Sequence, residues 1–588
     1  MTSDGYLQRD TSGVARFLPL LGWRRGYDGK VLRHDLIAGL TVAVMLVPQS
    51  MAYAALAGMP PVAGLYASIV PLTVYALLGT SGSLAVGPVA ITALMTSAAL
   101  APLAGNDPAR HAALAGLLAL LVGAIQVLMG LLRLGVLVNF MSHSVLSGFT
   151  SAAAIVIAAS QVKDLFGLRA ERAEAFPGIV ASVWHSAGTA HGLTILVSAV
   201  SIALLVLLRR YVPKLPGALL VVAGTTLVSA ALSFEDRGVR ILAEVPGGIP
   251  APALPALSGQ DIRALMPAAV AIALVSYMEG IAVAKSLAAK SRLQVSANQE
   301  LVGVGAANIS AGLFQAFPVA GGFSRSAVNF SAGARTPVAT LVTAAVVALT
   351  AVALTPAFYH LPKAVLGAIV VVAVLGLVDF KGAMTVWRAR QVDGLTLVLT
   401  FLVTLWLGVE PGLAAGVAFS LGVFLWRSAR PHTAELGRVP GTSLYRNLAR
   451  HGELATDPRV GIIRMDGPLY FASAQSLKDR VLGLADERKE LTAIVLDASA
   501  ISDIDADGAH ALADLRDRTA DRGVALHLAT VRGPVADLLD RAGMWRALRA
   551  AGRVHRDVAA AVAATRIDGR LRPEWPELEQ ATTSGNVW

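Results

Sequence analysis

Long apolar stretches separated by short polar ones fill the first three-quarters of the chain. Between residues 36 and 106 there is no Asp, Glu, Lys or Arg. A membrane-crossing helix needs about 20 apolar residues, so this stretch alone can supply three. The pattern predicts fourteen membrane segments, near residues 36–56, 60–79, 84–101, 112–132, 143–161, 191–208, 216–233, 265–285, 299–317, 322–333, 336–355, 363–378, 394–408 and 410–426.

After residue 430 charged residues become frequent, and short strands alternate with helices. We expect strands at 461–465, 469–471, 493–497 and 524–529, and helices at 505–518, 534–542 and 557–564. This alternation predicts a small α/β domain. The expected organisation is therefore a cytoplasmic lead-in (1–34), a transmembrane domain (35–430), a cytoplasmic α/β domain (431–565) and a disordered tail (566–588).

Seven plus seven segments indicate an internal repeat, and an odd-numbered repeat must be inverted in the membrane. Broken segments at matching positions in two such halves are typical of a transporter's binding site. The third segment of each half has such a break, at Gly87 and Pro88 in the first half and at Gly321 and Gly322 in the second. The fold class predicted is a polytopic α-helical membrane protein with a 7+7 inverted repeat and a C-terminal α/β domain.

Arg325 follows the second break directly, within an apolar region. A charged side chain at membrane depth is costly and usually functional. Two half-helix N-termini that meet there would each present about half a positive charge. The combination predicts an anion-binding site. The alternative is that Arg325 only neutralises Glu279.

Polar residues also occur within the first segment of each half, Gln49 in one and Glu279 in the other. Counting Arg325 and two half-helices, the site carries about +2 when Glu279 is protonated and about +1 when it is ionised. Protonation of Glu279 would then favour a dianion. We therefore expect Glu279 to couple anion transport to protons, with Gln49 and Ser324 donating neutral hydrogen bonds.

Composition excludes several other classes of protein. The chain of 588 residues is 55% hydrophobic and only 15% charged, and its mean hydropathy is +0.62. The net charge of +10 comes partly from basic residues beside the segments, as expected for cytoplasmic loops, so nucleic-acid binding is not expected and both termini are predicted to be cytoplasmic. There is no cysteine, and no catalytic, nucleotide-binding or metal-ligating grouping, so we expect no enzyme, cofactor or metal.

At this point the chain resembles the SulP sulfate permease family. Four local motifs carry the resemblance, and the part after residue 430 resembles a STAS domain, the usual C-terminal partner in this family. The motifs are Asp35–Thr41 with Val47–Tyr53, Gly64–Tyr66 with Val86–Pro88, Asn298–Leu301 with Gly305, Ala307 and Asn308, and Gly322–Asn329.

The resemblance implies an elevator-like motion, a homodimer in the inner (plasma) membrane, and a small inorganic anion as substrate, with sulfate favoured. It also implies a pocket between segments one, three, eight and ten. The residues it assigns to this pocket are Gln49, Tyr53, Val89, Glu279, Ser324, Arg325 and the backbone near Ser326.

Two positions depart from relatives. Some sodium-coupled bicarbonate carriers have an Asp followed one turn later by Thr, where this chain has Glu279 and Val283, and valine cannot ligate sodium. Asp507 occupies the position of the phosphorylated Ser of STAS switch proteins, which argues against a phospho-switch. A bicarbonate or C4-dicarboxylate transporter, an uncoupled anion channel and a membrane-tethered signalling protein remain alternatives.

Overall fold

The computed structural model describes residues 19–565, except 24–26, 106, 136–141, 171–174, 213–215, 250, 256–257 and 292–293. The tail at 566–588 and most of the lead-in lie outside the described residues. The chain divides into two compact units, Met1–Ser420 and Leu421–Trp588. The predicted domain boundary at residue 430 stays a prediction.

The first unit is helical, as the apolar pattern predicts, and each of the fourteen predicted segments contains a helix. Within the described residues, nine helical stretches are long and apolar enough to cross a membrane, and three apolar helices are shorter. The helices are α1 (Gly29–Leu56), α2 (Pro61–Tyr66), α3 (Val70–Leu78), α4 (Ala90–Ala104), α5 (Pro108–Leu131), α6 (His143–Ser160), α7 (Val162–Phe166), α8 (Phe176–His185), α9 (Gly192–Tyr211), α10 (Gly217–Ala231), α11 (Gly259–Ser291), α12 (Ala297–Leu313), α13 (Phe323–Ser331), α14 (Val338–Leu349), α15 (Lys363–Val374), α16 (Phe380–Ala389), α17 (Gln391–Leu407) and α18 (Val409–Ala429), which contains the unit boundary.

Two very short strands interrupt this helical unit. They are β1 (Val86–Gly87), before α4, and β2 (Ala320–Gly321), before α13. They pair antiparallel, with Val86 opposite Gly321 and Gly87 opposite Ala320. Consequently α4 and α13 begin beside one another although more than 200 residues separate them in sequence.

Helices α5 and α12 pack with their backbones in contact. A Cβ atom added to Gly123 would lie 2.5 Å from the carbonyl oxygen of Gly305, and one added to Gly312 would lie 2.5 Å from that of Gly116. Small residues allow this close approach, which is how helices associate when lipid removes the hydrophobic drive between them. Any larger residue at these glycines would push α12 away from α5.

The second unit contains a six-stranded sheet with helices on both faces. Its strands are β3 (His432–Arg438), β4 (Tyr445–Asn447), β5 (Val460–Asp466), β6 (Ala493–Asp497), β7 (Ala525–Ala529) and β8 (Val554–His555), in the order β4-β3-β5-β6-β7-β8. Strands β5 to β8 are parallel, and β3 is antiparallel to both of its neighbours. The helices are α19 (Phe471–Glu487), α20 (Ala506–Asp521), α21 (Gly533–Arg541), α22 (Met544–Ala550) and α23 (Val558–Ala564).

One predicted strand of this unit is wrong. Residues 469–471 form no strand, because Tyr470 is the N-cap of α19 and Phe471 is the first helical residue. The Ser473 hydroxyl accepts a hydrogen bond from the Tyr470 amide at 3.1 Å, as in a capping box. Asp505, the N-cap of α20, accepts from the Phe471 amide at 3.0 Å and so fixes the start of α19 against α20.

The STAS-like unit should lose stability in mild acid through His555, which lies next to His527. His527 Nδ1 and His555 Nε2 lie 3.0 Å apart with their rings stacked. Burial lowers the pKa of His555, an effect that the nearby Asp557 partly opposes. The unfolded chain therefore binds a proton more readily than the folded one, so stability falls as pH drops below about 6.5.

We expect His555→Gln to reduce this acid sensitivity by a few degrees of melting temperature between pH 8 and pH 5.5. Thermal unfolding of the full-length protein in detergent, with pulsed proteolysis reporting on α20 and β7, measures it. His510→Gln, at an exposed histidine of α20, is the control. Equal acid sensitivity in His555→Gln and wild type would show that the histidine pair contributes nothing.

Candidate functional site

The candidate site begins at the two helix breaks. Gly87 has φ +154°, a conformation that favours glycine. Val89 and Gly322 are the N-caps of α4 and α13, and neither helix has a side-chain cap. The first amide groups of a helix have no partner within it, and its dipole places partial positive charge there. Two such ends converge at the β1–β2 pair.

Arg325 lies in the first turn of α13 and is only 2% exposed. Its Nη1 donates to the carbonyl oxygen of Pro88 at 2.5 Å, which ties the second break to the first. Glycines on both sides make room for the guanidinium: a Cβ added to Gly322 would lie 2.9 Å from Nη2, and one added to Gly87 would lie 3.4 Å from it.

Two of the three guanidinium nitrogens have no acceptor among the described residues. Arg325 Nε and Nη2 are buried and form no hydrogen bond within the described part of the chain. An unsatisfied buried donor costs about 1–3 kcal/mol, and more when it is charged. A guanidinium pairs best with a carboxylate or tetrahedral oxyanion that accepts two parallel hydrogen bonds. The open edge of Arg325 is therefore suited to an oxyanion.

Glu279 lies on α11, which passes next to the second break. A Cβ added to the neighbouring Gly280 would lie 3.7 Å from the amide nitrogen of Gly321. The Glu279 side chain is half-buried, and no hydrogen bond or ion pair joins it to any described residue, Arg325 included. No direct ion pair among the described residues therefore supports the interpretation that Arg325 only neutralises Glu279. The Glu279 carboxyl group is free to bind a proton.

The first half contributes Gln49 and Tyr53, which lie one helical turn apart on α1 and so on the same face. Tyr53 is 7% exposed. Gln49 is half-buried, and its amide has no hydrogen-bond partner among the described residues. Val89 is half-buried at the start of α4. Helix α1 packs against both α4 and α13.

The two serines beside Arg325 differ in their surroundings. Ser326 is fully buried, and its hydroxyl donates to the Gly322 carbonyl at 2.7 Å and accepts from the Ala85 amide at 2.9 Å. Its own amide donates to the Gly322 carbonyl. Ser326 therefore joins α13 to the segment before β1, whereas Ser324 is exposed and its hydroxyl has no described partner. Their substrate contacts stay predictions.

Helix α12 holds both breaks through two buried polar side chains. At its N-terminal end, Glu300 accepts from the Tyr75 hydroxyl at 2.8 Å, the Thr80 amide at 2.6 Å and the Ser81 amide at 3.2 Å. These contacts fix the end of α3 and the residues that lead into β1. The carboxyl group of Glu300 is thus fully used in structure.

Asn308, two turns along α12, binds the residue before β2 at both of its backbone groups. Its Oδ1 accepts from the Val319 amide at 2.8 Å, and its Nδ2 donates to the Val319 carbonyl at 3.0 Å. Nδ2 also donates to Oε1 of Gln126 on α5, whose own amide donates to Ala273 and Ser276 of α11. One network therefore links α5, α11, α12 and the second break.

Sequence reasoning assigned no role to Glu300, Asn308 or Gln126. The first two stand in a motif that carried the family resemblance, and Gln126 is an isolated amide within an apolar helix. A buried polar residue in a membrane segment needs a partner, so this signal indicates that a network exists. It does not indicate which backbone groups the side chains bind.

Comparisons with known proteins identify the family to which the chain belongs. Residues 32–400 match the Sulfate permease family, and residues 452–561 match the STAS domain. The chain is 38% identical over 556 residues to "Sulfate transporter 4.1, chloroplastic" of Arabidopsis thaliana, which covers 90% of this chain and 80% of that protein. It is 38% identical over 554 residues to a probable sulfate transporter of Mycobacterium tuberculosis, with 92% and 96% covered.

Solved structures show the same fold. The anion transporter SLC26A9 superimposes with a TM-score of 0.88 at 26% identity, covering 95% of this chain and 93% of that one. The predicted fold and the prediction of a transporter rather than an enzyme are confirmed, and a 7+7 arrangement is consistent with the match. The chain belongs to the sulfate permease family of anion transporters and has a C-terminal STAS domain.

Proposed function

We propose that this protein takes up sulfate by secondary active transport coupled to protons. The observation that carries the proposal is the buried guanidinium of Arg325, with two nitrogens open, between two half-helix N-termini. Relatives with 38% identity are named sulfate transporters. Anion transport follows from the family, and sulfate and the proton are the specific parts of the proposal.

Charge favours a dianion when Glu279 is protonated. Arg325 contributes +1 and the two helix ends about +1 together, so a neutral Glu279 leaves about +2 around the substrate. No cation is paired with Glu279 among the described residues, so an ionised Glu279 would subtract a full charge from the site. A proton on Glu279 would therefore arrive with the dianion and leave with it.

The geometry of the two breaks supports the substrate contacts that we propose. Sulfate would accept from Nε and Nη2 of Arg325, from the first amides of α4 and α13, and from Gln49. Tyr53, Val89 and Ser324 would line the pocket, and Ser326 would hold α13 in place. Gly87, Pro88, Gly321 and Gly322 would form the breaks that expose these amides.

The movement we propose is an elevator-like displacement of this site within an inverted-repeat fold. The protein would work as a homodimer in the inner (plasma) membrane with both termini cytoplasmic. The distribution of basic residues supports the orientation, since Arg209, Arg210, Lys290 and Lys381 all follow segments that end on the same side when the count is even.

The direct test is uptake of radiolabelled sulfate by proteoliposomes, with and without an inward proton gradient. Bicarbonate, succinate and chloride are added as competitors. Gradient-stimulated uptake that only close oxyanion analogues inhibit is the expected result. Uptake of labelled succinate or bicarbonate without sulfate uptake would show that sulfate is not the substrate. Large ohmic currents would indicate a channel.

Replacing Glu279 by glutamine should uncouple sulfate uptake from protons, because the amide cannot release one. We expect the ratio of uptake with and without the gradient to fall to about 1, with sulfate exchange retained. Asp236→Asn, at an exposed carboxylate between α10 and α11, is the matched control. Gradient-driven uptake that persists in Glu279→Gln would refute the coupling role while leaving sulfate as the substrate.

A further inference from the structure

The STAS domain contains a basic cleft, none of whose residues belongs to the candidate transport site. A cavity of about 290 Å³ opens at the edge of the sheet formed by β3, β4 and β5. We call it the basic cleft, and its lining residues are His432, Arg446, Asn447, Arg450, His451, Arg464 and Asp466.

Asp466, the only carboxylate among the described residues of this lining, is already paired. Asp466 accepts from Arg464 Nε at 2.6 Å and Nη2 at 3.1 Å, and from His432 Nδ1 at 3.0 Å. The hydrogen bond from Arg464 is the main cause of the lowered pKa of Asp466, so this carboxylate stays ionised and bound to Arg464. It offers no charge to the other cations of the cleft.

Arg446 and Arg450 have no counter-ion in the part of the chain that the structure describes. Neither forms an ion pair or a side-chain hydrogen bond within the described ranges, and both are exposed to solvent. Unpaired cations that converge on a concave surface raise the local concentration of anions. Arginine in particular presents a planar set of donors that matches tetrahedral oxyanions.

The turn that carries these arginines is held in shape before any ligand binds. Asn447 Oδ1 accepts from the Ala449 amide at 2.8 Å, and the Arg450 amide donates to the Asn447 carbonyl at 3.1 Å. Strand β4 places Arg446 opposite Gly437 of β3. The Nδ2 group of Asn447 has no described partner, so it adds a neutral donor to the two guanidinium groups.

We propose that the basic cleft binds a tetrahedral oxyanion, either free sulfate or phosphate or the phosphate of an anionic lipid headgroup. Arg446 and Arg450 hold the anion, Asn447 donates to it, and the neutral Arg464–Asp466 pair forms the floor. The inference rests on the STAS domain alone and is independent of the transported substrate.

Binding of radiolabelled phosphate and sulfate to the full-length protein in detergent tests this. The variants are Arg325→Ala, which disables the membrane site, Arg446→Ala/Arg450→Ala, and the combination of all three. We expect Arg325→Ala to retain one saturable site, and the triple variant to bind at least about tenfold more weakly. Arg541→Ala/Arg549→Ala in the Arg325→Ala background removes the same charge from two exposed arginines of the domain and should bind like Arg325→Ala.

Equal binding by the triple variant and Arg325→Ala would overturn the proposal. If the alanine variant does not fold, Arg446→Gln/Arg450→Gln replaces it. Nanodiscs with and without anionic phospholipid distinguish the source of the anion. If anionic phospholipid competes with soluble phosphate for the cleft, and Arg446→Ala/Arg450→Ala abolishes this competition, the ligand is a lipid headgroup. If anionic phospholipid leaves the binding of phosphate unchanged, the ligand is the free ion. If the cleft binds neither the lipid headgroup nor the free ion, the proposal is also overturned.

Discussion

Sulfate uptake by reconstituted protein should be lost when Arg325 is replaced by alanine. This substitution removes the charge between the two half-helices, the two open donors and the hydrogen bond to the Pro88 carbonyl. Losing a buried charge-assisted contact costs about 2–5 kcal/mol, which corresponds to a reduction of about 30-fold to several thousandfold. Initial uptake rates at several sulfate concentrations measure it.

Arg325→Lys separates charge from geometry. Lysine keeps the positive charge, but it cannot bind the Pro88 carbonyl and two substrate oxygens from one planar group. We expect an intermediate loss with a raised KM for sulfate. Arg388→Ala, at an exposed arginine of α16, controls for removal of a charge. If a folded Arg325→Ala protein transports sulfate at the wild-type rate, Arg325 does not bind the substrate and its role is only structural.

Hydropathy predicts the helices of the transport unit well because a membrane segment must be long, apolar and internally hydrogen-bonded. The breaks at Gly87–Pro88 and Gly321–Gly322 are also visible in sequence, since these residues interrupt helices. The pairing of Val86 with Gly321 is not visible. It joins residues far apart in the chain, and two-residue strands carry no periodicity.

The STAS domain shows the limits of local propensity. Residues 469–471 have the aromatic content of a strand, but the Tyr470–Ser473 capping contacts make them the start of α19. Strand β3 was not predicted, because its alternation is weak and it contains glycine and charged residues. In each case the outcome depends on a partner that local sequence does not specify.

The candidate site is also predicted only in part by the sequence. Arg325 and Glu279 are conspicuous because charge is rare in apolar segments. The open donors of Arg325 become apparent only when Pro88, Gly87 and Gly322 are placed around it. Charge in the sequence therefore locates the site, and long-range backbone contacts determine what it offers to a ligand.

Asn308 supports the second break. Although Asn308 does not contact the proposed substrate, we therefore expect Asn308→Ala to impair transport. Its amide satisfies both backbone groups of Val319, immediately before β2, and alanine has no polar group that could replace it. Without it, β2 and the start of α13 can shift, and Arg325 shifts with them. A misplacement of about 1 Å near a reacting or binding group can cost about 100-fold, so we expect uptake to fall at least about tenfold.

Ser310→Ala is the matched control, because Ser310 is buried on the same helix and, among the described residues, its hydroxyl donates only to the Ala307 carbonyl of that helix. Both variants are compared by gel filtration, melting temperature and the competition of other oxyanions with sulfate. A positioning role predicts altered anion selectivity in folded Asn308→Ala protein, which a general loss of stability does not. Unchanged rates and selectivity would mean that the β1–β2 pair and the Arg325–Pro88 bond suffice to hold the half-helix, and the network through Gln126 would then serve packing alone.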